Sequence, residues 1–265
     1  MACLITRIPR IALNKEKNIG RVIYIVEGER TEFSILNRIF TKVFDYSFVE
    51  VRRSVNCKPY HRYESKTNKN SIVFVINSEY SCISSITTGK DYLDKIFEVL
   101  FYEYQLEPNK AAIYYLFDRD PSSNPSRIIE QLLLTLKNSR DNGEEMNGLL
   151  LLSYPKIEAF IISCFEKKCN SLKLPSCELK QYKNYKKYQN NLIFSKEIIN
   201  ACQEMYKVIK ALIKHNFAPN DLDNFGKINT KIYNEQELYY SKNNVYRLLS
   251  LLTISMIDLQ LIIIE

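Results

Sequence analysis

Glycine is scarce, with six residues in a chain of 265. That argues against an all-β fold built on tight turns and against glycine-rich nucleotide loops. No Walker-type loop is present, so any ATPase would be a separate partner. Tryptophan is absent, and the only histidines are His61 and His215. Seven cysteines stand at 3, 57, 82, 164, 169, 177 and 202, an odd number with no C-x-x-C spacing. Cys164, Cys169 and Cys177 fit no common zinc pattern. Reduced, mostly buried thiols in a cytoplasmic protein are the expectation. Long hydrophobic runs are missing as well. Residues 1–20 hold no apolar stretch of signal-peptide length, so none is expected. Residues 248–264 are broken by Asp258 and Gln260, and read as a buried terminal helix rather than a membrane span.

What is present is a chain able to build a core, with 46% apolar residues. Its 19 Tyr and 13 Phe, beside abundant Lys, Asn and Ile, resemble the usage of an AT-rich genome. The net charge of +7 permits a nucleic-acid partner without demanding one.

Residues 21–26 (RVIYIV) form a short β-branched run that stops at Glu27-Gly28-Glu29. Residues 31–44 then place apolar side chains at helical spacing. Further strands are expected at 48–52, 71–76, 111–117 and 148–152, and helices at 91–104 and 126–136. A helix from Pro155 to Phe165 would carry proline in its first turn. Residues 58–70 read as a polar, basic loop. Strands alternating with helices imply an α/β fold with a mostly parallel sheet and helices on both faces. Strand signals stop near residue 170. Two regions are therefore expected: an α/β domain over 1–170 and a mostly helical annex over 171–265.

Two acidic clusters stand where strands end: Glu27 to Glu32, and Asp118-Arg119-Asp120. In an open parallel sheet, ligands bind just beyond the C-terminal strand ends. Alternation along an extended backbone would set Asp118 and Asp120 on one side. Glu27, Asp118 and Asp120 then offer hard oxygen donors suited to Mg²⁺ or Mn²⁺. Taken singly, these residues have simpler uses. Glu29 and Glu32 suit the first turn of a helix, and an Asp-x-Asp suits a turn or an N-cap.

Val26-Glu27-Gly28 with Glu32, followed by Asp118-Arg119-Asp120 after a later strand, resembles the Toprim domain of topoisomerases, bacterial primases and OLD-type nucleases. The Glu-Gly-Glu-x-Thr-Glu variant, with the stretch from Ser153 to Phe160 (SYPKIEAF), is similar to RloB-like, defence-associated Toprim proteins. The resemblance covers roughly residues 20–165. It implies that Glu27 is a general acid/base and that Asp118 and Asp120 hold Mg²⁺. Glu32 and Glu158 are further acids that could hold a second ion or a bound water. No further acid closely follows Asp120, so one metal or two is left open.

Lys180, Lys183, Lys186 and Lys187 interleave with Tyr182, Tyr185 and Tyr188, which is what contact with a nucleic acid would use. A second basic stretch holds Lys58, His61, Arg62, Lys66 and Lys69. Either stretch also reads as a solvated surface. The expected function is a metal-dependent nuclease acting on DNA or RNA in the cytoplasm. An anti-phage role is implied by the resemblance alone. Expected partners are nucleic acid, a separate ATPase or sensor protein, and further copies of this chain. Two other classes stay open: an Asp-x-Asp phosphatase with Asp118 as nucleophile, and a non-catalytic nucleic-acid-binding or sensor module.

Overall fold

The computed structural model describes residues 10–28, 30–51, 60–77, 88–122, 124–140, 147–182, 189–213, 222 and 225–265, with backbone alone at 50, 89, 109, 170, 180 and 182. The fold is α/β around a mixed sheet. Its strands are β2 (Arg21–Val26), β3 (Tyr46–Val51), β4 (Tyr60–Ser65), β5 (Ile72–Ile76), β6 (Ala111–Asp118), β7 (Lys137–Asn138) and β8 (Gly148–Tyr154), in the order β3-β4-β5-β2-β6-β8-β7. A short strand, β9 (Leu249–Ser250), also pairs with β8, antiparallel. Only the four central strands β5-β2-β6-β8 run parallel, while β3, β4 and β7 pair antiparallel at the flanks. The expectation of a mostly parallel sheet is thus corrected to a parallel centre with antiparallel margins.

Every residue of β8, and all but the ends of β2 and β6, is buried. Side chains alternate between faces, so complete burial means that both faces of the centre are covered. Helix α1 (Thr31–Arg38) follows β2 and is prolonged by a wider turn over Ile39–Val43. Helices α2 (Gly89–Glu98) and α3 (Ser126–Thr135) follow β5 and β6, and touch each other. Helix α4 (Glu158–Phe165) follows β8 and packs on a later helix, α6 (Ser195–Ile213). From β2 the chain runs to the edge strand β3, returns through β4 to β5 beside β2, and then crosses over β2 to β6. The direction of winding therefore reverses between β2 and β6.

Four expectations change. Residues 60–65 form a strand, not a loop. Tyr60 and Tyr63 are buried against Phe74 and Phe48, and packing of this kind outweighs local polarity. The segment before residue 20 contains β1 (Ile11–Leu13), which pairs with β10 (Ile262–Ile264), so strands do not stop near 170. The end of the chain is buried as expected, but only α8 (Leu252–Asp258) is helical there. Pro155 follows Tyr154 through a cis peptide, and α4 starts three residues later.

The part beyond residue 170 also includes α5 (Ser176–Tyr182) and α7 (Phe225–Asn243). Side chains of α6, α7 and α8 share one apolar core with β2 and β6, while Leu174, Leu179 and Leu248 join a smaller cluster with Ala159 and Ile162 of α4. The same region also satisfies the outer edge of β8, where the Asn229 amide donates to the Leu150 carbonyl at 2.7 Å and the Leu251 N–H to the Leu152 carbonyl at 3.1 Å. A buried strand edge left unpaired would be costly, so these contacts tie the region to the sheet. Among the described residues no helix is long and apolar enough to cross a membrane.

Candidate metal and acid–base site

The point where winding reverses in a parallel sheet leaves a crevice at the strand ends. Register decides what fills it here. Val26 lies opposite Leu116, so Glu27 leaves β2 beside the end of β6. The Asp118 N–H donates to Glu27 Oε2 at 3.0 Å. Asp118 in turn lies opposite Ser153, which brings the segment after β8 alongside, and the Ile157 N–H donates to Asp118 Oδ1 at 2.8 Å. Three strand ends thus converge on two carboxylates that lie 91 residues apart in the chain.

Glu32 and Glu158, in the first turns of α1 and α4, complete the cluster, and both are buried. Glu32 takes backbone hydrogen bonds from its own amide and that of Gly28. A Cβ on residue 28 would stand 2.3 Å from Glu32 Oε2. A side chain at residue 28 would therefore displace the Glu32 carboxylate from its present position. Desolvation raises the pKa of Asp118 well above the usual carboxylate range, and repulsion from Glu32, Glu27 and Glu158 adds to it. Desolvation also raises Glu32, reinforced by Glu158 and Glu27. It raises Glu27 too, against hydrogen bonds from the Asp118 amide and Asn124.

Asp120 behaves differently. Strand β6 ends at Asp118, so alternation does not carry on to residue 120. The Asp120 carboxylate instead accepts from the Ser122 amide at 3.1 Å and hydroxyl at 2.7 Å, and pairs with Lys156 Nζ at 2.6 Å. Partial burial works against ionisation, but Lys156 and Ser122 prevail and hold its pKa below the usual range. Lys156 also lowers Glu27 and is itself raised by Asp120, Asp118 and Glu158, so it links Asp120 to the cluster. Among the described residues, no group of three or more His, Cys, Asp or Glu side chains stands ready-made to hold an ion.

Asn124 and Lys156 were not singled out from the sequence. Asn124 is fully buried, and its amide donates to the Asp118 carbonyl and faces both Glu27 oxygens at 3.4 and 3.5 Å. Six residues past Asp118 on a turn, it carries no periodic signal. Lys156 lay inside the quoted SYPKIEAF stretch, but only the folded chain gives it Asp120 as a partner. Of the basic–aromatic stretch, Lys183, Tyr185, Lys186 and Lys187 lie outside the described residues, as do Lys58 and Glu29. Lys180 and Tyr182 are described only as backbone of α5. The chain matches no family model and no curated protein.

The cluster sets a pH dependence. A carboxyl whose pKa is raised on folding binds its proton more tightly in the native state than in the unfolded one. Its contribution to stability is therefore full at low pH and is lost as pH rises from the ordinary range, about 4, through the raised native value. Asp118, Glu32 and Glu27 act in this sense. Asp120 acts oppositely, stabilising above the ordinary range and losing its contribution on acidification. Above the ordinary range Asp120 is ionised in both states and adds no slope, so the three raised carboxyls predict that the metal-free protein melts lower at about pH 8 than at about pH 6. Scanning fluorimetry across that interval checks this, and a profile rising with pH would contradict it.

Proposed function

We propose that this protein is a metal-dependent nuclease of the Toprim class, cleaving DNA or RNA phosphodiesters in a bacterial cytoplasm as part of defence against phage. The observation that carries the reading is the meeting of Glu27 and Asp118 where the sheet reverses its winding, with Glu32 and Glu158 buried beside them. The parallel order β5-β2-β6-β8 supports a Toprim-like arrangement, as the Glu-Gly-Glu-x-Thr-Glu and Asp-Arg-Asp motifs do. The defence role rests on the resemblance of those motifs.

The donor set is all oxygen, which fits Mg²⁺ or Mn²⁺. Carboxylates whose pKa values are raised by burial, and further by mutual repulsion, gain from a cation that neutralises them. Glu27, Asp118 and the neighbouring Glu32 or Glu158 would hold it, and Asp120 would join by giving up Lys156. Bound there, the ion polarises a phosphate oxygen and stabilises the charge that grows in displacement. The chain supplies the rest. Glu27, whose pKa burial raises, can hold or release a proton at the reacting oxygen. The Asp118 amide and Asn124 fix its orientation. Lys156 brings a positive charge to the side where the phosphate would sit. The Lys/Tyr residues from Lys180 to Lys187 are proposed to hold the polynucleotide.

Single-stranded and duplex RNA and DNA, incubated in parallel with Mg²⁺, Mn²⁺ or EDTA, test the reading. The expected result is cleavage of at least one substrate with the ion and of none in EDTA. Millimolar ion should also raise the melting temperature by about 2 °C or more, by mass action on the native state. No cleavage and no ion-dependent shift would leave a binding or sensor module as the better account.

A further inference from the structure

A cavity of about 290 Å³ opens on the Asp120 side of the carboxylate cluster. One part of its wall is apolar: Pro121 and Pro155 from the strand-end loops, and the half-buried Tyr240 of α7, with the buried Tyr246 stacked against it. The two tyrosines already stack, with ring centroids 4.5 Å apart and planes at 21°. The other part is polar, with Asp120, Ser122 and Asn244. Asp120 belongs at once to this wall and, through Lys156, to the site described above. The cavity exists only because the C-terminal region docks on the sheet end.

We infer that this cavity receives one unstacked nucleobase of a single-stranded polynucleotide, next to the phosphodiester presented to Glu27 and Asp118. The inference rests on the proposed nuclease reading and names its substrate class. A planar ring with apolar faces and hydrogen-bonding edges matches a wall that is aromatic and prolyl on one side and polar on the other. Asp120, its carboxylate oriented by the Ser122 amide and hydroxyl, places an oxygen acceptor in this wall, suited to an exocyclic amino group. Stacking on aromatic faces tolerates any base, so the cavity would position substrate more than select sequence. A base still paired and stacked in a duplex cannot enter, so single strands, loops or ends are the expected substrates.

The test is made in EDTA, so that binding is read without cleavage. A fluorescein-labelled single-stranded oligonucleotide should bind the wild type, bind Tyr240→Ala about tenfold more weakly, and bind Tyr240→Phe nearly as well as the wild type. Duplex of the same sequence should not reproduce the difference. Cys177 also lines the cavity and is exposed, whereas Cys164, Cys169 and Cys202 are buried. The oligonucleotide should therefore slow maleimide labelling of Cys177, located by peptide mass mapping, in the unmodified protein. Equal affinity of wild type and Tyr240→Ala together with unprotected Cys177 would overturn the inference. Competition by mononucleotides as strong as by the oligonucleotide would overturn the polymeric source. Because no arm needs metal, a failed cleavage assay and a failed base site give different results.

Discussion

Asp118→Asn is expected to lower metal-dependent cleavage by about 10²-fold or more while holding or raising the melting temperature of the metal-free protein. The two effects share a cause. Asp118 sits at the end of β6, where burial raises its pKa and Glu32, Glu27 and Glu158 add to the shift. An amide of nearly the same shape keeps the oxygen that accepts from the Ile157 N–H and removes a charge from a cluster that repels it. What it loses is a carboxylate for the cation. Stabilisation by Mg²⁺ should therefore shrink together with activity, because an ion stabilises only in proportion to its binding. Parallel fluorimetry and cleavage assays read both. Retained activity, or a large drop in metal-free melting temperature, would return Asp118 to a structural role.

Arg119→Ala should cost about 3 kcal/mol of stability, the scale for removing one partner of a buried ion pair. Arg119 is 2% exposed although it lies between two aspartates in a motif that reads as a surface site. Its guanidinium donates to both Glu237 oxygens at 2.8 and 2.9 Å, to the Asn124 carbonyl at 2.9 Å and to Ser126 Oγ at 2.8 Å. It also lies near the rings of Tyr233 and Tyr246, at 5.7 and 5.8 Å. Removing it leaves the Glu237 carboxylate without its cation and detaches α7 from the loop that carries Asn124. Chemical denaturation should show the loss. Arg119→Lys should recover only part of it, since an ammonium cannot reproduce the two-pronged contact. A variant as stable as the wild type would mean that this ion pair adds nothing to the docking of α7.

Much of the sheet was legible in the sequence because its central strands are buried on both faces. Runs such as RVIYIV and AAIYYLF admit few other readings. The helices at 31–38, 89–98 and 126–135 were legible for the same kind of reason, since one apolar stripe repeats at 3.6 residues. The margins were not. Strand β4 is polar by composition and is held by Tyr60 and Tyr63 packing on Phe74 of β5 and Phe48 of β3, contacts that its own residues do not announce. Strands β1 and β10 are three residues each and exist because opposite ends of the chain meet.

At the candidate site, the sequence determined that carboxylates stand at the ends of β2 and β6, because an acid after a buried strand cannot remain inside it. The tertiary structure alone decided which of them cooperate. Register set the Asp118 amide on Glu27, and the end of β8 supplied Ile157 and Lys156. The two aspartates that spacing treats as equivalent were separated in this way: Asp118 joined three glutamates, and Asp120 turned to a lysine. Local spacing encodes direction along one element. Partnership across elements depends on strand order and register, which are set by how the whole apolar core closes.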